Sequence, residues 1–247
     1  MLEKPFALNM NHARAIEYAA KKAGIHVIVN YAPTWFPATQ AAYGLVHGDH
    51  AIGDLRKIVV HDGHQGAQEI GASAISLKWL KDAALGGGAL MDFGCYGVNL
   101  ITWLMKEQRP TSIFAVTQQI KPEVYPKVDD EATIVLTYPK TQGIIQASWN
   151  WPFDRKDMEI YGQTGYVLAP TRTLLRVRKA NSNEVEIDSP PALETPVNAA
   201  LSYFIAVVRG RVKPSGLSSV GLNMIVTEIL DAARESARTG KRVNLLG

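Results

Sequence analysis

The alternation of hydrophobic and polar residues changes partway along the chain, at Pro110. Before this proline, apolar residues recur at helical spacing in several segments, with short strand-like runs between them. After it, the pattern has a period of two, and turn residues separate successive runs. Consecutive strands joined by short turns form antiparallel sheets. We therefore predict an α+β fold, with a mostly antiparallel open sheet that helices cover on one face.

The predicted elements have recognisable end signals. Asn11 is a plausible N-cap of the first helix, and Gly24 and Gly240 are suited to end the first and last helices. The predicted helices span residues 11–22, 38–46, 76–84, 86–105, 196–209 and 218–238. The predicted strands span residues 26–31, 55–61, 112–119, 131–138, 144–150, 158–161, 166–169, 173–178 and 184–187.

Residues 1–34 contain one predicted helix followed by one predicted strand. A helix and a single strand cannot bury a hydrophobic core alone. Pro33 and Pro37 then bracket a short segment that redirects the chain. We therefore predict that residues 1–34 are a short remnant of an α/β domain and that residues 35–247 form the α+β domain.

The central predicted helix follows three glycines and carries a polar stripe on an otherwise apolar segment. The stripe consists of Asp92, Tyr96, Asn99 and Trp103, which lie on one side of a helix. Burying such groups without partners costs a few kcal/mol, so the stripe should meet partners, water or a ligand. The alternative is structural: Asp92 stabilises the helix start, and Tyr96 is a core aromatic residue.

Composition narrows the class of protein. The 247 residues are 47% hydrophobic and 20% charged, with a net charge of +3 and scattered basic residues, which argues against nucleic-acid binding. The single cysteine, Cys95, excludes an internal disulfide and a multi-cysteine zinc site, and its apolar setting favours a packed thiol. We find no membrane-length apolar run and no signal peptide, and we expect a cytoplasmic location.

Two other groups of polar residues invite a chemical interpretation. His61, Asp62 and His64 suggest a metal, or a metal-dependent lyase, but an odd separation on a strand places the two histidines on opposite faces. We therefore expect no metal, and we favour a polar loop beside a site.

Pro5 restricts Lys4 to an extended turn, which at a strand end would aim its ammonium at a ligand. The alternative is a solvated lysine.

Some motifs point to packing or solvent as much as to chemistry. The acidic run at residues 129–131 is expected to be solvated. Trp149 and Trp151 lie at a strand end, where they could stack on a sugar or pack in the core. Neither G-x-G-x-x-G nor G-x-x-x-x-G-K-[ST] occurs in the sequence.

Four segments, taken in order, resemble the Gfo/Idh/MocA family, the relatives of glucose–fructose oxidoreductase and inositol dehydrogenase. They are EKP at residues 3–5, WLKD at 79–82, GGGALMDFGCYGVN at 86–99 and SARTGKRV at 236–243. The resemblance implies a Rossmann domain that binds NAD or NADP, and a C-terminal α+β domain that carries the substrate contacts. It also implies a homo-oligomer formed through the open sheet face. The residues Ile134, Leu136, Ile144, Trp149 and Trp151 support a covered face.

The resemblance assigns roles to individual residues. Lys4 would lie beside the nicotinamide and substrate, and Asp92 and Tyr96 would bind a sugar or polyol and exchange a proton with its hydroxyl. Lys4 could activate Tyr96 as a base by lowering its pKa. We expect three further residues to contact the substrate, and one further residue, in addition to Lys4, to contact the cofactor. The substrate contacts are Asn99, Trp79 and His64, and the cofactor contact is Trp35.

The family's glycine-rich fingerprint precedes the Glu-Lys-Pro turn, at which this sequence begins. We therefore expect a member that lacks most of the Rossmann domain. The leading hypothesis is the substrate-binding and oligomerisation part of an NAD(P)-dependent sugar or polyol oxidoreductase. The alternatives are a non-catalytic remnant that binds a carbohydrate or a partner, and half of a split enzyme completed by a separate Rossmann chain.

Overall fold

The fold is a layer of helices packed on one large sheet. A computed structural model describes residues 1–245 of the chain, and within them it contains seven α-helices and a nine-stranded sheet. One face of the sheet carries helices and the other is open. The predicted α+β fold is confirmed.

The helices match the predicted end signals at Gly24 and Gly240, but the sixth helix begins at Ala200 rather than at Pro196. They are α1 (Met10–Ala23), α2 (Pro37–Tyr43), α3 (Ala74–Leu80), α4 (Ala89–Asp92), α5 (Gly94–Leu104), α6 (Ala200–Val208) and α7 (Val220–Thr239). Asn9, rather than Asn11, caps α1 by accepting from the backbone of His12. Gly24 and Gly240 adopt left-handed conformations that end α1 and α7. No helix within residues 1–245 combines the length and apolar character that a membrane span needs.

The strands form one large sheet and one small parallel pair. They are β1 (Leu2–Glu3), β2 (Val29–Asn30), β3 (Leu55–Gly63), β4 (Ser112–Gln118), β5 (Glu131–Thr137), β6 (Gln142–Ser148), β7 (Arg155–Gly162), β8 (Tyr166–Ala169), β9 (Leu174–Arg178), β10 (Val185–Asp188) and β11 (Val243–Asn244). The large sheet has the order β10-β9-β8-β7-β3-β6-β5-β4-β11. Of its neighbouring pairs in the described residues, β3 and β6 alone are parallel. The two-residue strands β1 and β11 were not predicted.

The first thirty residues pack against the rest of the chain. β1 and β2 pair in parallel, and α1 connects them. The backbone of Met10 donates to Asp231 on α7, and Arg234 donates to the carbonyl of Leu8. Phe6 and Val29 belong to the same buried core as the sheet. A domain boundary at residue 34 stays a prediction.

The predicted central helix is broken into α4 and α5, which Phe93 separates. The glycines before α4 allow a close approach, since a Cβ on Gly87 would lie 2.1 Å from the Leu80 carbonyl oxygen. The Asp129 carboxylate accepts from the backbone of Leu90, at the start of α4. Asp130 is buried and accepts from two backbone amides. The expectation that these acids are solvated is therefore wrong.

The α5 helix lies close to the sheet, which sets where the core forms. A Cβ on Gly97 would lie 2.5 Å from a methyl carbon of Ile145. Ile134 and Leu136 are fully buried on this helix-covered face, so they do not support a covered open face. The apolar side chains of the open face include Phe114 and Val116 on β4, both of which are exposed.

Candidate active site

Lys4 and Asp92 form the centre of the candidate site. Lys4 directly follows β1, and Asp92 is the last residue of α4. The Lys4 Nζ lies 2.5 Å from Oδ1 of Asp92 and 2.7 Å from its carbonyl oxygen. Only 16% of the Lys4 side chain and 10% of the Asp92 side chain are exposed. The structure thus brings together two residues that the resemblance assigned to one site.

The charge on Lys4 is stabilised by its neighbours. Burial alone would lower the pKa of Lys4, but Asp92, with smaller effects from Cys95 and Tyr96, raises it well above its ordinary value. Lys4 is therefore an ammonium group at neutral pH. It is a hydrogen-bond donor and cannot serve as a base.

Trp149 supports Asp92 from the sheet. Its indole Nε1 donates to Oδ2 of Asp92 at 3.1 Å, and the side chain is fully buried. Its ring packs on Tyr125. Of the two interpretations of Trp149, packing in the core therefore applies. The Cys95 thiol donates to the Asp92 carbonyl, and burial raises its pKa to about 12, as expected for a packed thiol.

Tyr96 lies on the first turn of α5 beside both charged groups. The Lys4 Nζ is 4.8 Å from the centre of its ring. Burial raises the pKa of Tyr96 above its ordinary value, and Lys4 opposes this shift without cancelling it. The expectation that Lys4 makes Tyr96 a base is therefore wrong. At neutral pH the hydroxyl is a proton donor.

A second ion pair, Asp62 with Lys156, lies beside the same tyrosine. The two residues face each other across β3 and β7, and Nζ of Lys156 lies 3.3 Å from Oδ2 of Asp62. The same Nζ is 3.8 Å from the centre of the Tyr96 ring. Asp62 is 1% exposed, and burial raises its pKa to about 7, although Lys156 opposes the shift.

The sequence held a signal for one member of this pair. On β3, Asp62 alternates with Ile58 and Val60, so its carboxylate falls in the buried register of the strand. That placement could have identified it as a candidate. Lys156 had no such signal, because its position depends on the register between β3 and β7.

The two histidines do not converge. The His64 ring meets Phe93 edge-on at 4.7 Å between ring centres, which places it near the site. Burial lowers the pKa of His64, so it is neutral at neutral pH. His61 lies on the open face, where its Nδ1 is 2.8 Å from a carboxylate oxygen of Asp157. A contact between His64 and substrate stays a prediction.

The far end of the polar stripe is occupied by packing contacts. The Asn99 amide donates to the Leu217 carbonyl and to Asn223. Trp103 stacks on Tyr43, with 4.1 Å between ring centres. The stripe therefore divides, with one part at the charged cluster and the other against α2 and α7. A substrate contact by Asn99 stays a prediction.

The remaining predicted contacts belong to neighbouring elements. Trp79 lies half-buried on α3, and its carbonyl is near Gly87. Trp35 precedes α2, and its Nε1 donates to the side chain of Asn30 at 2.9 Å while its ring packs on Tyr203. No aromatic contact or hydrogen bond within residues 1–245 links either tryptophan to the Lys4 pair. Their roles stay predictions.

The arrangement has a definite chemical capacity. Two lysines, Lys4 and Lys156, and two aspartates, Asp92 and Asp62, surround one protonated tyrosine, Tyr96. Such a cluster can hold a ligand hydroxyl by donors and acceptors together.

Comparison with known proteins identifies the family of the chain. The model of the GFO/IDH/MocA C-terminal domain matches residues 45–168, half of the chain. The trans-1,2-dihydrobenzene-1,2-diol dehydrogenase of Xenopus laevis is 26% identical over 249 residues, which cover 95% of this chain and 70% of that protein.

Solved structures share the fold. The aldose-aldose oxidoreductase of Caulobacter crescentus, complexed with glycerol, superposes with a TM-score of 0.82 at 23% identity, covering 98% of this chain and 71% of the other. An inositol dehydrogenase homologue of Azotobacter vinelandii, complexed with NADH and myo-inositol, gives 0.79 at 14% identity, covering 98% and 70%. The chain therefore belongs to the GFO/IDH/MocA family of oxidoreductases, which confirms the resemblance and the enzyme class inferred from the sequence.

Proposed function

We propose that this chain is the substrate-binding part of an NAD(P)-dependent oxidoreductase that acts on a CH–OH group of a sugar or polyol. The observation that carries the proposal is the convergence of Lys4, Asp92 and Tyr96, from β1, α4 and α5. The hydroxylated compounds named with the relatives agree with it. Dihydrobenzenediol, glycerol and myo-inositol all carry hydroxyls on adjacent carbons.

The geometry suits two neighbouring hydroxyls. Asp92 can accept from one hydroxyl, since its oxygens keep lone pairs beyond those used by Lys4 and Trp149. Tyr96, as a protonated phenol, can donate to the oxygen of the other. Lys4 adds a positive charge that stabilises a developing alkoxide or carbonyl oxygen.

The described residues fit the reacting end of a dinucleotide better than its phosphates. The loop between β1 and α1, residues 4–9, contains no glycine, so it cannot form the tight phosphate-binding turn of a dinucleotide site. Lys4 and, by resemblance, Trp35 are the residues that would lie by the nicotinamide. When bound, oxidised NAD(P) would accept the hydride from the carbinol carbon.

The phosphates then need binding groups from elsewhere, and we propose a separate Rossmann domain or chain as their source. We also propose a homo-oligomer through the open sheet face, where Phe114 and Val116 are exposed. Burying exposed apolar side chains against a second copy would stabilise such an assembly. A cytoplasmic location stays a prediction.

One alternative has an observation in its favour. The glycine-free loop at residues 4–9 fits a chain that binds a polyol or a partner without a cofactor. Such a protein would use Asp92 and Tyr96 to hold hydroxyls and would transfer no hydride. The two functions therefore share a ligand and differ in turnover.

Ligand binding tests both functions and needs no cofactor. Saturation-transfer NMR would measure binding of glycerol, myo-inositol and aldoses to the chain and to its Asp92→Asn variant. We expect binding that Asp92→Asn weakens about tenfold and that Asp54→Asn, an exposed control, leaves unchanged. No binding of any polyol would refute the proposed substrate class.

Titration with NADH and NADPH then separates the enzyme from the cofactor-free alternative. Saturable micromolar binding, followed by nicotinamide fluorescence, would show that the chain holds a dinucleotide by itself. No binding up to millimolar concentration would indicate that a second domain or chain is required. Polyol oxidation after that domain is supplied would support the enzyme, and its absence would favour the alternative.

A further inference from the structure

The buried carboxylate of Asp62 has no role in the proposed function so far. Within residues 1–245, Oδ2 of Asp62 has no well-aligned hydrogen bond, and its ion pair with Lys156 at 3.3 Å is its close charged contact. A buried carboxylate with so few hydrogen bonds and ion pairs to offset its lost hydration destabilises a fold. Such groups concentrate at sites where proton transfer is needed.

Lys156 links this carboxylate to the candidate site. The Nζ of Lys156 contacts both groups: it lies 3.3 Å from Oδ2 of Asp62 and 3.8 Å from the centre of the Tyr96 ring. About a third of the Lys156 side chain, 31%, is exposed, whereas that of Asp62 is 2% exposed. Lys156 can therefore reach a bound ligand, and Asp62 cannot.

A small cavity adjoins the pair on the side of α2. Its volume is about 10 Å³, room for about one water molecule. Its lining includes Asp62 and Lys156 together with the hydroxyl-bearing residues Thr39 and Thr171. Thr171 is exposed, so the cavity lies between the buried carboxylate and the surface.

The oxidation of a carbinol needs a proton acceptor, which Lys4, Asp92 and Tyr96 do not provide. Lys4 and Tyr96 both carry protons at neutral pH, because their pKa values are raised. Asp92 can accept a hydrogen bond from the substrate, but taking up the proton itself would remove the ion pair that compensates the buried Lys4 ammonium. A further group with a pKa near the working pH would be an efficient acceptor.

We propose that Lys156 and Asp62 are the proton-accepting pair of this site, with Lys156 passing the substrate proton to Asp62. One ammonium proton of Lys156 moves to Oδ2 of Asp62, and the lone pair that this frees on Nζ takes the substrate proton as the substrate O–H bond breaks. The carbinol hydride, with its two electrons, would go to the oxidised nicotinamide when that cofactor is bound. Asp62 ends as a neutral carboxylic acid and releases its proton through the small cavity. This inference rests on the proposed function.

The charges around Asp62 agree with this role. Burial raises its pKa to about 7, Lys156 and the more distant Lys4 lower it, and Asp92 raises it slightly. His64 is neutral at this pH, because burial lowers its pKa. The carboxyl can therefore gain and lose a proton near neutrality.

The first experiment needs neither substrate nor cofactor. Carbon-13 NMR of the full chain, labelled at the aspartate carboxyls, would follow each carboxyl through a pH titration. We expect the Asp62 signal to have a midpoint near pH 7, to be absent from Asp62→Asn, and to shift upward in Lys156→Met, because Lys156 lowers the pKa of Asp62. Lys57→Met, an exposed lysine on β3, should leave it unchanged. An Asp62 midpoint near 4, as for an exposed aspartate, would overturn the inference.

The second experiment measures turnover, with a readout that a purely structural role would not change. For polyol oxidation, we expect Asp62→Asn to lower kcat by on the order of 10²-fold with little change in KM. It should also abolish the rise of kcat with pH near 7, a rise that Lys57→Met retains. Lys156→Met should lose the same rise, and it provides the test if Asp62→Asn does not fold.

The outcomes separate this inference from the function beneath it. An active wild-type protein whose Asp62→Asn variant keeps its kcat and pH profile overturns the inference alone. A wild-type protein that binds polyols but never oxidises them, even with a dinucleotide-binding domain supplied, refutes the enzyme and the proton-transfer step together.

Discussion

Nζ of Lys4 and Oδ1 of Asp92 lie 2.5 Å apart, although 88 positions separate the two residues in the sequence. Both side chains are largely buried, so each needs the other for its charge to be tolerated. Removing one partner of a buried pair leaves an uncompensated charge, whereas replacing both removes the charges together. The pair therefore couples the chain before α1 to the helix that carries the candidate site.

The first prediction concerns this coupling. Lys4→Met should lower the free energy of unfolding by about 3 kcal/mol, because it strands the Asp92 carboxylate. The double variant Lys4→Met/Asp92→Asn should recover part of that loss, giving a favourable coupling energy in a double-mutant cycle. Urea unfolding measures all four proteins. Simple additivity would show that the two side chains do not interact in solution.

The second prediction concerns the role of Lys4 and Tyr96 in turnover. In a complete protein bearing these residues, Lys4→Ala and Tyr96→Phe should each lower turnover by on the order of 10²-fold or more, the range expected when a donor to the developing charge on the reacting oxygen is removed. Tyr138→Phe is the matched control, because its hydroxyl is also buried and has no partner within residues 1–245. Near-normal turnover in Lys4→Ala or Tyr96→Phe would remove that residue from the mechanism.

Much of the site could be predicted because several of its residues lie in short segments of the sequence. Asp92 and Tyr96 lie on one short segment at helical spacing, and Pro5 restricts Lys4 to an extended turn. The pairing of Asp62 with Lys156 could not be predicted, because it depends on the register of two strands about 90 residues apart in sequence. The net pKa shift of Tyr96 also depends on burial, which only the packed structure shows.

The fold was predicted in outline for a similar reason. Period-two alternation identified the strands after Pro110, whereas the break between α4 and α5 at Phe93 leaves the helical periodicity of the segment intact. The sheet face on which Ile134 and Leu136 lie could be assigned only from the position of α5, which approaches the sheet at its glycines. Sequence pattern assigns faces to a strand but does not say which face the helices cover.

The third prediction is a pH dependence of stability. The pKa of Asp62 is about 7 in the folded state, against 3.8 for the unperturbed group, so the folded protein binds the proton more tightly. The stabilisation is therefore complete below about pH 4 and is lost as the pH rises through 7. Between pH 4.5 and 8, the wild-type protein should lose about 3 kcal/mol more stability than Asp62→Asn. Urea unfolding at both pH values measures this difference, and parallel changes in the two proteins would contradict it.

The fourth prediction tests the proposed oligomer. Val116→Lys places a charge on the open sheet face, and Val208→Lys places the same charge on the exposed side of α6. Light scattering at micromolar concentration should show an oligomer for the wild-type chain and for Val208→Lys, with a shift toward monomer for Val116→Lys. A monomeric wild-type chain would refute the assembly, and an unchanged Val116→Lys oligomer would exclude this face.

The fifth prediction uses two glycines in helices. In α5, a Cβ on Gly97 would meet the Ile145 side chain at 2.5 Å, so Gly97→Ala must push the helix or the sheet apart. Overpacking of this kind costs about 1–3 kcal/mol. In α7, a Cβ on Gly221 meets nothing within 4 Å, so Gly221→Ala should stabilise by about 0.5 kcal/mol through helix propensity. Opposite shifts in the midpoint of urea unfolding are the expected result.

Because Tyr96 precedes Gly97, Gly97→Ala should also weaken polyol binding, and Gly221→Ala should not. Equal stability of the two variants would show that α5 has room to move from the sheet, and that the position of Tyr96 is not fixed by this contact.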